Sequence, residues 1–153
     1  MQERSYSPTI VAGCFAAAAT TGALLAIGRR IGNAGLPFAA IGSVPFQRLQ
    51  IGFTTQSVVT GLVFHVIGVF VWSALAVRLA RAFERWFLAA GLTATTQFTV
   101  SWIVAWWTGR GLSSVLALGD RLVYAVVLAC ALVAGMRFAF SDSRNVPTDT
   151  LLS

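Results

Sequence analysis

Four long apolar runs, separated by short breaks that carry arginine, leave this chain few ways to fold. A helix of about 20 apolar residues matches the hydrocarbon thickness of a bilayer. Within that layer only helices and closed barrels satisfy their own backbone groups. The runs cover about residues 8–28, 53–77, 86–108 and 122–140. They predict an all-α fold, a four-helix transmembrane bundle forming a single membrane domain over residues 1–153. Charged residues make up 10% of the chain against 57% hydrophobic, whereas a soluble domain carries about 25% charge. Too few polar side chains remain to coat a water-facing surface.

The net charge of +6 raises nucleic acid as a partner, but its placement excludes that reading. All eleven basic residues are arginine, and they lie mostly at the ends of apolar runs rather than in a patch. A membrane protein keeps charge there because mid-bilayer placement costs several kcal/mol. Cys14 and Cys130 both fall inside apolar runs, lack CxxC spacing, and have no histidine near in sequence. Both are expected to pack as small inert hydrophobes. Val11-Ala12-Gly13-Cys14 has the form of the box before a bacterial lipoprotein cysteine. The stretch Ser5–Ile10 is too short and too polar for a signal-peptide core of about 7–15 residues, and the apolar run continues past Cys14. An uncleaved helix is expected.

The first run opens at Pro8, which suits a helix start, and stops at Arg29-Arg30. Gly13, Ala17 and Thr21 share a face at steps of four, and Ala18 and Gly22 form a second small pair. Such small-residue faces let helix backbones approach closely in lipid. Residues 31–52 carry glycines at 32, 35 and 42 and the pairs Pro37-Phe38 and Pro45-Phe46. This stretch is too apolar for a free loop and too broken for a span, and an interfacial segment along the membrane surface is expected. Arg78, Arg81 and Arg85 continue the second helix as an anchor at the headgroups, and a tight turn then makes the second and third runs an antiparallel hairpin. After a short apolar connection over 112–119, Asp120 is expected to cap the fourth helix, with Arg121 snorkelling to the interface. The polar tail over 141–153 is expected to be disordered unless a partner holds it.

Four spans place both termini on one side. Arg4, Arg78, Arg81, Arg85, Arg137 and Arg144 then oppose Arg29, Arg30, Arg48, Arg110 and Arg121, six against five. The cluster in the short second loop points to cytoplasmic termini in a bacterial inner membrane. Trp72, Trp86, Trp106 and Trp107 fall near run ends, as interfacial anchors do. Trp102 and Trp106 share a face that could instead line a lipid, carotenoid or pigment groove.

His65 is the only histidine and falls near mid-membrane. Ser57, Gly61, His65, Gly68 and Trp72 form one helical stripe, so Gly61 and Gly68 leave space beside the imidazole for a helix or a flat macrocycle. The Gly61-xxx-His65 spacing is locally similar to pigment sites in light-harvesting helices, a likeness of two residues that implies haem or bacteriochlorophyll ligation. Against it stands a structural reading. His65 and Gln97 are each 16 residues from a turn centred near residue 81, so they lie at nearly equal depth. Thr93, Gln97 and Ser101 form a polar stripe, and a His65–Gln97 hydrogen bond would satisfy two groups that lipid cannot.

No acidic residue lies in the middle of a run, as proton-coupled carriers usually require. The small multidrug carriers have four spans but depend on a first-span glutamate, which is absent here. No HExxH, GxSxG or Walker-type sequence occurs, and no carboxylate pair could act as acid and base. The leading expectation is a non-catalytic accessory subunit that packs on other transmembrane subunits, with lipids bound. The alternatives are a pigment- or haem-binding subunit with His65 as ligand, and a small channel or carrier.

Overall fold

Short polar signals set the helix ends. Pro8 occupies the first turn of α1 (Pro8–Arg30), where its missing N–H is no loss. Thr54 caps α3 (Thr55–Phe83) with a reciprocal box: Ser57 N–H donates to Thr54 Oγ1, and Thr54 N–H donates to Ser57 Oγ, both at 3.2 Å. Gly109, at φ 66°, takes the left-handed conformation that ends α4 (Trp86–Thr108). The computed structural model describes residues 7–45 and 54–142. Within them the remaining helices are α2 (Leu36–Gly42), α5 (Leu112–Val115) and α6 (Leu118–Asp142), with no strand among the described residues. Four of the six, α1, α3, α4 and α6, are long and apolar enough to cross a membrane.

These four form a closed square. α1 packs on α3, α3 on α4, α4 on α6, and α6 returns to α1, while the diagonal pair α3 and α6 barely touch. The chain runs up and down, so every adjacent pair is antiparallel. Its inner wall is built from small side chains. Ala12, Ala16 and Thr20 on α1, Ser73, Ala76 and Ala80 on α3, and Ala89, Ala90 and Thr93 on α4 are all buried. Gly135 of α6 meets Ala12 so closely that an added Cβ would stand 2.7 Å from the Ala12 Cα. Bulk is confined to a few positions, chiefly Leu24, Leu128, Leu132 and Met136.

The hydroxyls in this wall do not need partners on other helices. Ser73 donates to Val69 O at 2.8 Å and Thr93 donates to Ala89 O at 2.8 Å, each one turn back on its own helix. The Thr93-Gln97-Ser101 stripe is likewise closed on itself, because Gln97 Nε2 donates to Ser101 Oγ at 2.9 Å.

The connections differ at the two ends. At one end, α3 turns directly into α4 through Glu84 in the left-handed conformation and Arg85. At the other end, α2 and α5 fill the space between the long helices. The segment expected to lie along a surface is instead tucked into the bundle: Pro37, Phe38, Ala39 and Ala40 are buried. Its backbone sits directly on α3, since an added Cβ at Gly61 would overlap the Phe38 carbonyl and one at Gly42 would overlap the Ser57 carbonyl. Glycine at both positions lets two helix backbones touch. Arg110 Nη1 donates to Ser43 O at 3.5 Å, joining the α4–α5 corner to the end of α2.

Candidate functional site

The expected α3 stripe departs by one residue after His65, about 100° around the helix. Ser57, Gly61 and His65 do face inward, but the buried line continues through Val69 and Ser73, while Gly68 and Trp72 turn toward α4. His65 is 5% exposed, and α1, α2 and α6 each bring a side chain against it. The Phe38 ring from α2 and the Tyr124 ring from α6 meet the imidazole edge-on, with centroids 5.8 and 6.1 Å away. Thr20 of α1 supplies the hydrogen-bond partner: its Oγ1 lies 3.1 Å from His65 Nε2.

This contact replaces the expected His65–Gln97 bond. Gln97 Nε2 donates to Ser101, four residues on along its own helix, and the imidazole meets Thr20 of α1 instead. The Thr20 hydroxyl has one proton, and that proton goes to Ala16 O at 2.6 Å. With that proton spent, Thr20 Oγ1 accepts from His65 Nε2–H, and Tyr124 also interacts with Thr20. The imidazole proton is thereby placed on Nε2, leaving the Nδ1 lone pair uncommitted to Thr20.

Beside this cluster lies a cavity of about 190 Å³. Its polar wall is His65, Gln97, Ser101 and Tyr124, and Gly68 and Trp72 line it from α3. Phe64 and Val100 also line it and are exposed outside the bundle, so the cavity opens on the outer surface between α3 and α4. α2 and α5 close it at one end through Ile41, Val44 and Leu112.

A tetrapyrrole exceeds the enclosed volume. An apolar cavity of about 150 Å³ holds a benzene ring, and the present one is scarcely larger. Gly61, expected to leave room beside His65, is filled by the α2 backbone, and only Gly68 has open space, with nothing within 4 Å of an added Cβ. Among the described residues, no group of three His, Cys, Asp or Glu side chains converges as a metal site would require.

The other residues singled out from sequence are spread over the molecule. Gly13 is buried against Phe70 of α3, Ala17 packs at the core edge, and Thr21 is half-buried beside the deeper line of Ala12, Ala16 and Thr20. Cys14 and Cys130 are exposed on the outer faces of α1 and α6 and do not pack in the core of this chain. Arg29, Arg78, Arg81 and Arg85 are exposed at helix ends. Arg30 is also at an end, but it pairs with Asp120. Asp120 is therefore no cap: α6 starts two residues earlier, and the carboxylate sits in its first turn. Arg121 lies over the Phe98 ring at 5.8 Å, with its Nε buried and without a hydrogen-bond partner, rather than extended outward. Trp106 and Trp107 are 79% and 84% exposed and Trp102 also faces out, whereas Trp86 stacks on Phe140 at 5.7 Å. The expected tail and the stretch 46–53 of the first connection lie outside the described residues. Thr20, Tyr124 and Phe38 were not foreseen from sequence as site residues. Comparison with protein-family models, with curated proteins and with solved structures finds no match to this chain.

Proposed function

We propose that the chain is an integral membrane protein and acts as a non-catalytic accessory subunit, docking through its outer helix faces on the transmembrane helices of a larger complex in a bacterial cytoplasmic membrane. Two features support immersion in lipid. The helices have the length and composition to cross a bilayer, and large apolar side chains are exposed on every one of them, Phe15, Ile67, Leu92 and Val126 among them. A monomer in water rarely exposes apolar surface in this continuous way.

The observation that carries the docking reading is a contrast between outer faces. α3 presents Val59, Leu62, Val63, Phe64, Ile67 and Val71, bulky side chains suited to lipid tails. α1 presents Cys14, Ala18, Gly22 and Ala26 at steps of four, all exposed, with open space at Gly22. α4 adds Gly91, Thr95 and Thr99, whose threonine hydroxyls are spent on Gly91 O and Thr95 O at 2.9 Å. Small-residue stripes of this kind let a second helix approach closely, and among the described residues no helix covers them. The reading keeps the start of α1 and the end of α6 on the cytoplasmic side, where Arg78, Arg81, Arg85 and Arg137 gather.

Extraction in mild detergent tests it. Wild-type chain is expected to carry other membrane subunits through purification, and Ala18→Leu with Gly22→Leu to shed them while melting at an unchanged temperature. Val63→Leu, on the bulky α3 face, is expected to retain them. Recovery of the wild type solely as a free monomer overturns the docking reading.

A further inference from the structure

We propose that the cavity between α3 and α4 binds the hydroxylated ring of a neutral, membrane-soluble molecule, a phenol or quinol head, whose O–H bridges His65 and Ser101. Four observations converge on this chemistry. The volume of about 190 Å³ accommodates one substituted six-membered ring, given that about 150 Å³ holds benzene. Among the described residues no Asp, Glu, Lys or Arg lines the cavity, so a charged head would lose its hydration without compensation from them. Phe64 and Trp72 supply aromatic surface for a ring. The mouth between Phe64 and Val100 opens on the outer apolar face, so the occupant enters from the bilayer.

The hydrogen-bonding inventory selects a hydroxyl. Nε2–H of His65 is spent on Thr20, whose own proton goes to Ala16 O, leaving Nδ1 as an acceptor. Ser101 Oγ accepts from Gln97 Nε2 and keeps its proton to donate. A group that donates to one and accepts from the other is an O–H; a ketone or ether only accepts and leaves Nδ1 unanswered. The proposal rests on the membrane reading only for the bilayer that delivers the ligand. Partner docking through α1 is a separate property with a separate readout.

The test uses the full chain in phospholipid nanodiscs and a fluorinated alkylphenol followed by ¹⁹F NMR. A saturable shift absent from empty discs, displaced by a short-chain hydroquinone, is expected. The methyl ether of the probe and the Ser101→Ala protein are each expected to bind about tenfold more weakly, the loss of roughly one buried hydrogen bond. Gly68→Leu, which projects into the cavity, should abolish binding, whereas Gly22→Leu on α1 should not. If Gly68→Leu fails to fold, Val104→Phe narrows the same cavity from α4. Phenol and ether binding with equal affinity, unchanged binding to a folded cavity-filling variant, or displacement by a sterol but not by hydroquinone would each overturn the assignment.

Discussion

Two glycines seven residues apart on α3 show how differently one residue type is used. Gly61 carries the α2 backbone on its bare face, whereas Gly68 borders open space. Gly61→Ala is therefore expected to push α2 off α3 and cost several kcal/mol, an overpacking against backbone that cannot move aside cheaply. Gly68→Ala is expected to stabilise by about 0.4–1 kcal/mol through reduced freedom of the unfolded chain; thermal melts of the two variants in detergent, run side by side, check the opposite signs. Thr20 is the second residue whose neighbours decide its role. Thr20→Val keeps the shape but strands His65 Nε2–H, at a cost of about 1–3 kcal/mol, whereas Thr20→Ser keeps the hydroxyl and should melt near the wild type. Sequence alone pointed to His65 because it is the only histidine, and the equal-depth argument placed Gln97 at the right level, since both line one cavity. It missed Thr20 because a threonine among alanines carries no spacing signal. It named the wrong partner because Gln97 is satisfied by Ser101, four residues on along its own helix, without crossing to α3.

Among the elements, the long helices were legible and α2 was not. Runs of apolar residues bounded by Pro8, Thr108-Gly109 and the arginines fixed α1, α3 and α4 closely. α2 has seven residues with a proline in its first turn and a glycine at its end, too short to hold itself together. It is a helix because Phe38, Gly42, Gly61 and Ser57 let it seat on α3, a tertiary cause that no local pattern announces. The ends of α1 and α6 are joined by Arg30 and Asp120. The arginine side chain is 63% exposed and the carboxylate 12%, so solvent screens much of the attraction. A double-mutant cycle with Arg30→Gln and Asp120→Asn is expected to give a coupling of no more than about 1 kcal/mol, shrinking as salt is raised. A larger, salt-insensitive coupling would mean that the pair is shielded by the surrounding lipid.

At the scale of the whole molecule, the two cysteines report on the surroundings. Both sit on outer faces among apolar neighbours. In intact vesicles a lipid-soluble maleimide is expected to label Cys14 and Cys130, and a charged, impermeant maleimide to label neither until the vesicles are dissolved. Ready labelling by the charged reagent in sealed vesicles would contradict the proposed membrane setting. The square arrangement also has a bearing on how the molecule is made. Its seam is formed by the first and last of the described helices, through Ala12 on Gly135, Phe15 on Phe138 and Arg30 on Asp120. During synthesis the hairpin of α3 and α4 can close as soon as it emerges, but α1 must wait with one flank bare until the ribosome has delivered α6. A product arrested before that point leaves Ala12 without Gly135 against it, the kind of unfinished surface that quality-control proteases remove.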